Sequence, residues 1–154
     1  MNDDVALVMR SLPHFAVTIM FSKAERYPTV NQTARYFNVQ CTVLHSKGQF
    51  TYEGRDICFE VKAFERFRSQ LDAIRMGTGS AAELAEAGTM LTFGLEVQGR
   101  HTHFSARISE AQAEHDKTVL SAGFNVDYDM FVNKLFEDLT EFIHRIRQVE
   151  PRPV

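Results

Sequence analysis

Residues 128–148 read YDMFVNKLFEDLTEFIHRIRQ, and the spacing of their apolar members decides the fold class. Tyr128, Phe131, Val132, Leu135, Phe136, Leu139, Phe142, Ile143 and Ile146 keep to one side of a helix of 3.6 residues per turn. Asp127 precedes them, a residue type whose carboxylate accepts the unpaired amides of a first helical turn, and Pro151 and Pro153 forbid continuation. Burying such a stripe is worth roughly 15 to 25 kcal/mol gross, an upper bound before chain entropy. The helix must therefore dock on something.

Working back along the chain, the period changes from helical to alternating. Leu120, Ala122, Phe124 and Val126 alternate with polar or small residues and predict a strand over 118–127. Leu91, Phe93, Leu95 and Val97 make another, turned at Gly99 and Arg100 into Phe104, Ala106 and Ile108, an antiparallel hairpin over 89–108. Residues 80–88 (SAAELAEAG) read as a connector of one or two helical turns. Phe64, Phe67, Leu71 and Ile74 lie on one side of a helix over 63–76, which Gly77 and Gly79 end.

Further back, Ile57, Phe59 and Val61 alternate in the second of two pieces spanning 49–62, a register that turns Cys58 away from the apolar set. Phe37, Val39, Cys41 and Val43 alternate over 35–45 and point Cys41 inward. Phe15, Val17 and Ile19 suggest an early strand, followed by a polar loop at 22–31. No repeat is visible. The expectation is an α+β fold, with a single antiparallel sheet of about six strands and two helices packed on one face. A chain of 154 residues is also expected to form one domain.

The formal net charge of −3 lacks the basic stripe that a nucleic-acid or membrane-surface footprint requires, so neither partner is expected. The opening Met1, Asn2, Asp3 and Asp4 lack the basic start of a secretory signal, and no apolar run reaches the roughly 20 residues of a membrane span. With two cysteines and no such signal, the reading is a reducing cytoplasm and free thiols at Cys41 and Cys58. Residues 111–154 carry eight acidic residues against five basic ones. Glu137, Asp138 and Glu141 stand on the polar side of the last helix. They read either as a solvated face or as contacts for a basic protein partner.

Catalytic patterns are missing. There is no G-x-S-x-G elbow, no G-x-G-x-x-G after a strand and no G-x-x-x-x-G-K-[ST] loop, so neither a nucleophile nor a phosphate cradle is indicated. His101 and His103, at i and i+2 of a strand, share a face and form the best metal pair, but no third ligand stands at a recognisable spacing. They read as solvent-facing polar residues. His14, His45, His115 and His144 are isolated in sequence. No cofactor is expected.

The order of elements resembles the bacterial WapI-type immunity-protein family. The resemblance is carried by Tyr36-Phe37-Asn38-Val39, the Phe50–Gly54 stretch, Phe64-x-x-Phe67-x-x-x-Leu71 and Gly79-Ser80-Ala81-Ala82-Glu83-Leu84. It continues through Leu91-x-Phe93-x-Leu95 and Phe124-x-Val126-Asp127-Tyr128 into the final helix, covering about residues 35–148 and leaving 1–34 unassigned. It implies a non-catalytic protein that binds and blocks a cognate toxin, with no catalytic residues to carry over. Two alternatives stay open. One is a small-molecule or metal binder with an apolar pocket between sheet and helices and His101 and His103 near its mouth. The other is a homo-oligomeric structural module paired through a sheet edge.

Overall fold

The computed structural model describes residues 5–11, 14–21, 34–88, 90–99, 101–111 and 117–148. The chain runs β1 (Val5–Ser11), β2 (Phe15–Phe21), β3 (Ala34–His45), β4 (Gly48–Glu60) and α1 (Val61–Arg75). It continues through β5 (Ala81–Ala85), β6 (Leu91–Gln98), β7 (His101–Ala111) and β8 (Lys117–Val126) to α2 (Tyr128–Gln148). The strands form two antiparallel meanders of four, β1-β2-β3-β4 and β5-β6-β7-β8.

The single six-strand sheet with two helices on one face is therefore corrected to two four-stranded sheets, each followed by one helix. Two strands account for the difference in number. In β1 the inward Val5, Leu7 and Met9 alternate with Ala6 and Val8, which are themselves apolar, so the period is blurred in the sequence. In β5 the residues Ala, Glu and Leu are helix formers, yet Ala82 and Leu84 are buried and the strand pairs with β6 from Ala81↔Glu96 to Ala85↔Thr92. Gln70 of α1 also accepts the Glu83 amide at 2.9 Å. Tertiary pairing overrides a weak local preference here. The split itself follows from α1, which turns the chain away from β4 at Val61. A backbone hydrogen bond from Ala87 N–H to the Cys58 carbonyl, 2.8 Å, ties β4 to the segment after β5.

Although no repeat shows in the sequence, the element order β-β-β-β-α occurs twice, and the two halves interlock. Helix α1 follows the last strand of the first sheet and packs along β5, the first strand of the second. Helix α2 follows β8 and packs along β1, and the helices also touch each other.

Helix α2 occupies the span that its periodicity predicts. Asp127 Oδ1 accepts the Met130 amide at 3.0 Å, which satisfies one of the unpaired first-turn donors. Phe131, Val132, Leu135, Leu139, Phe142, Ile143 and Ile146 are buried. Helix α1 begins at Val61, two residues earlier than expected, because Val61 turns into the core instead of continuing the strand. It ends at Arg75; Gly77, just beyond, has a φ of +79° that suits a residue without Cβ, and the Thr78 and Gly79 amides both donate to the Ala73 carbonyl.

Phenylalanines link the layers. Phe15 of β2 stacks on Phe104 of β7 (4.8 Å between ring centres) and on Phe124 of β8 (4.7 Å), and meets Phe131 of α2 edge-on. A second cluster joins Phe37 and Phe59 of the first sheet to Phe64 of α1 and Phe142 of α2. The β3–β4 ladder slips between Phe37 and Val39. There Asp56 takes a φ of +55° and its amide donates to Asn38 Oδ1. Cys41 is buried on the inner face as expected. Cys58 is half-buried rather than turned fully outward, and both thiols are free.

Candidate protein-binding groove and other candidate sites

Strand β1 pairs only with β2 among the described residues, and its other side faces α2. Alternation buries Leu7 and Met9 and turns Val8 and Arg10 outward. On α2, Met130, Lys134, Glu137, Asp138 and Glu141 fall on one side of the helix, all exposed except the half-buried Asp138. Between the two elements runs a groove of about 170 Å³, with Met9, Phe131 and Leu135 in its floor and Val8, Arg10, Met130, Lys134 and Asp138 in its walls. Val8 is 38% exposed and Met130 77% exposed, so two large apolar side chains flank the groove without being buried by it.

Lys134 Nζ pairs with Asp138 Oδ2 at 3.1 Å, one helical turn apart on the rim. That pairing leaves Glu137 and Glu141 as the acidic groups of the strip with no ion pair among the described residues, both exposed. Of the three acids singled out by sequence, only Asp138 lines this groove of mixed apolar and charged character, and Glu137 and Glu141 stand on the same helix face outside it, an arrangement that the sequence did not reveal.

His101 and His103 share the outer face of the second sheet, while Thr102 and Phe104 between and beyond them are buried. His103 Nδ1 lies 3.4 Å from Asn125 Oδ1, and in register it faces Glu96 on the other side. Among the described residues, no group of three or more His, Cys, Asp or Glu side chains is placed to hold a metal ion. His14 is exposed, and His144 is exposed with its Nε2 3.1 Å from Gln148 Nε2. The side chain of His45 and the whole of His115 lie outside the described residues.

An apolar pocket exists, but not between sheet and helices with the histidines at its mouth. It opens between the inner faces of the two sheets, lined by Cys41, Val43 and Phe50 on one side and by Ala106, Ile108 and Leu120 on the other. His101 and His103 are on the opposite, outer face of β7 from Ala106 and Ile108. The sequence pattern gave no warning of it, since only the packing of the two sheets brings these apolar side chains opposite one another.

Two further charged features serve the fold. Glu86 is a buried carboxylate, and its oxygens accept the Gly88 amide at 2.8 Å and the Met90 amide, closing the turn between β5 and β6. The hollow between α1 and α2 is polar, with Arg68 Nε donating to Thr140 Oγ1 at 2.8 Å and Arg147 paired with Glu65. Arg68 and Arg75 also lie over the Phe136 ring, 4.9 and 4.0 Å from its centre, so these cations are engaged in holding the helices together.

No protein-family model and no curated protein matches the chain. Among solved structures, it is similar to a chain from "Crystal structures of trypanosoma bruciei MRP1/MRP2", at 10% identity and a TM-score of 0.48, covering 96% of this chain and 88% of that one. A likeness at that level carries no argument about function.

No helix among the described residues is long and apolar enough to cross a membrane. Burial pushes the Cys41 thiol up to about 12, and burial with the nearby Glu60 and Glu86 carboxylates pushes Cys58 upward too. Both thiols are thus held protonated, the opposite of the activation that a catalytic cysteine needs.

Proposed function

We propose that this chain is a non-catalytic protein-binding module of the immunity-protein kind, and that it meets its partner through the groove between β1 and α2. The observation that carries the reading is Met130, 77% exposed at the lip of a groove with an apolar floor and charged walls, and continuous along one helix face with Glu137, Asp138 and Glu141. Methionine and other large apolar groups at the centre of a patch, with charge at the rim, make the usual anatomy of a protein interface. Exposed apolar side chains grouped around a groove have a solvation cost that a partner removes.

The acids give the partner its chemistry. A partner presenting one apolar side chain to the groove floor, an acidic group to Arg10 and basic groups to Glu137 and Glu141 would match these charges, and electrostatic attraction would speed the encounter. The resemblance to the WapI-type immunity proteins makes a cognate toxin domain the first partner to test.

The experiment is to purify any toxin domain encoded beside its gene and titrate this protein with it. Met130→Glu is expected to weaken binding by roughly 30-fold or more, in the range of an interface anchor. Glu137→Lys with Glu141→Lys should slow association and flatten its salt dependence, with unchanged circular dichroism in each variant. A toxin that binds all variants as tightly as the parent would reject this groove, and the lack of any protein partner would reject the function.

A further inference from the structure

Independently of that groove, we infer that the cleft between the inner faces of the two sheets is a binding site for a small uncharged aromatic molecule. Its origin lies in the register. In the second sheet Ala106 of β7 pairs with Ala122 of β8, so the floor of the cleft is two methyl groups wide where the next row has Phe104 and Phe124. In the first sheet Cys41 pairs with Tyr52 and Val43 with Phe50. The alanine pair of the second sheet therefore leaves a depression opposite the Cys41 and Val43 positions of the first, with Phe50 at its side. The sheets touch at Phe15, Phe104 and Phe124 and leave a gap beyond them.

The gap has a volume of about 210 Å³. The gap opens to solvent on one side, where Phe50 is 38% exposed and Ser121 is exposed, so a molecule seated there takes apolar wall surface out of water. An apolar cavity of roughly 150 Å³ takes up a benzene ring, so this one admits a single ring with a short substituent, on the order of eight to ten non-hydrogen atoms.

The lining selects against charge. Cys41, Val43, Phe50, Ala106, Ile108 and Leu120 carry no charged group, and Ser121 and the Cys41 thiol are the polar functions nearest the space. A carboxylate or ammonium placed here would lose its hydration with nothing to compensate. The flat pair of alanines on one wall and Phe50, 38% exposed, on the other suit a planar occupant held between two faces.

The test uses toluene as the probe and benzoate as the charged control on the intact protein, read by amide and methyl chemical shifts. Toluene is expected to shift resonances of Cys41, Ala106 and Ala122 saturably and to raise the melting temperature, while benzoate does neither. Ala122→Leu should fill the floor and weaken toluene binding at least tenfold, and Ala106→Phe should abolish it. Should Ala106→Phe fail to fold, the leucine variant alone decides. Three results would overturn the proposal: toluene shifts scattered over the surface, undiminished binding in the folded Ala122→Leu variant, or shifts at these residues that grow with protein concentration alone. The last would make the cleft a contact between two copies of the chain.

Discussion

The imidazole of His103 lies over the backbone of Gly123 on the neighbouring strand, so close that a methyl group at residue 123 would stand 2.5 Å from Nε2 and 2.9 Å from Cε1. Gly123 lies in the second sheet beside the Asn125 row that holds the ring. The glycine is thus an opening into which a histidine from β7 leans.

Gly123→Ala should evict that ring without unfolding the sheet. The clashing atoms are the far end of an exposed side chain that can rotate away, and alanine in a strand recovers some of the backbone entropy that glycine loses. Stability is expected to stay within about 1 kcal/mol, while the His103 ring-proton shifts move to values typical of a solvated imidazole. A loss of several kcal/mol in the denaturation midpoint would mean the ring is held far more firmly than a 3.4 Å contact to Asn125 suggests.

Phe142→Asp tests the docked face of α2. The ring is 2% exposed and packs on Phe37 of the first sheet and Phe64 of α1, so the substitution removes both contacts and buries a carboxylate. Loss of the aromatic ring alone costs about 3 to 5 kcal/mol, and the unpaired charge adds to it. Chemical denaturation should find the variant largely unfolded, and a midpoint near the parent's would refute the packing.

Asp127→Ala removes the cap on the Met130 amide. The expected cost is about 1 kcal/mol, and Asp127→Asn should recover most of it because the amide oxygen accepts the same bond. Equal loss in both variants, measured by urea denaturation, would assign the effect to charge at the helix start rather than to the hydrogen bond.

Cys41 predicts a pH dependence with a definite sign. Its folded pKa of about 12 lies above the ordinary 9.0, so the folded state holds its proton more tightly than the unfolded chain does. The stability from this thiol is complete below pH 9 and is lost as pH rises toward 12. Cys41→Ala should therefore show a shallower alkaline loss of stability than the parent, measured as the denaturation midpoint at intervals from neutral to alkaline pH. In the native parent, Cys58, half-buried, should react with an alkylating reagent before Cys41. Faster labelling of Cys41 would contradict its burial.

How much of this was legible depends on how far each feature reaches through the chain. Helix α2 carries its own evidence, a stripe through Ile146 with Asp127 at its head, and the observed bounds agree with the reading. The β6–β7 hairpin was equally local, with Gly99 at φ +61° in its turn. Strand β5 was misread because five residues of good helix formers become a strand only by pairing with Leu95 and Phe93 of β6. The partition into two sheets was hidden for the same reason, since alternation reports that a face is buried and not which strand lies beside it. Of the candidate sites, the acidic strip of Glu137, Asp138 and Glu141 was visible as a helix face. The groove next to it needed β1, whose period Ala6 and Val8 had obscured, and the cleft at Ala106 and Ala122 needed the register of both sheets.

The crossing of each helix to the other half's first strand bears on how the molecule is made. Phe15, in the second strand to be synthesised, finds its ring partners in Phe104, Phe124 and Phe131, about a hundred residues downstream. A nascent chain emerging from the ribosome must therefore keep a hydrophobic surface waiting until its final helix is translated. Slow, late and concerted closure follows, and with it a window in which chaperone binding or misassembly between neighbouring nascent chains competes with folding.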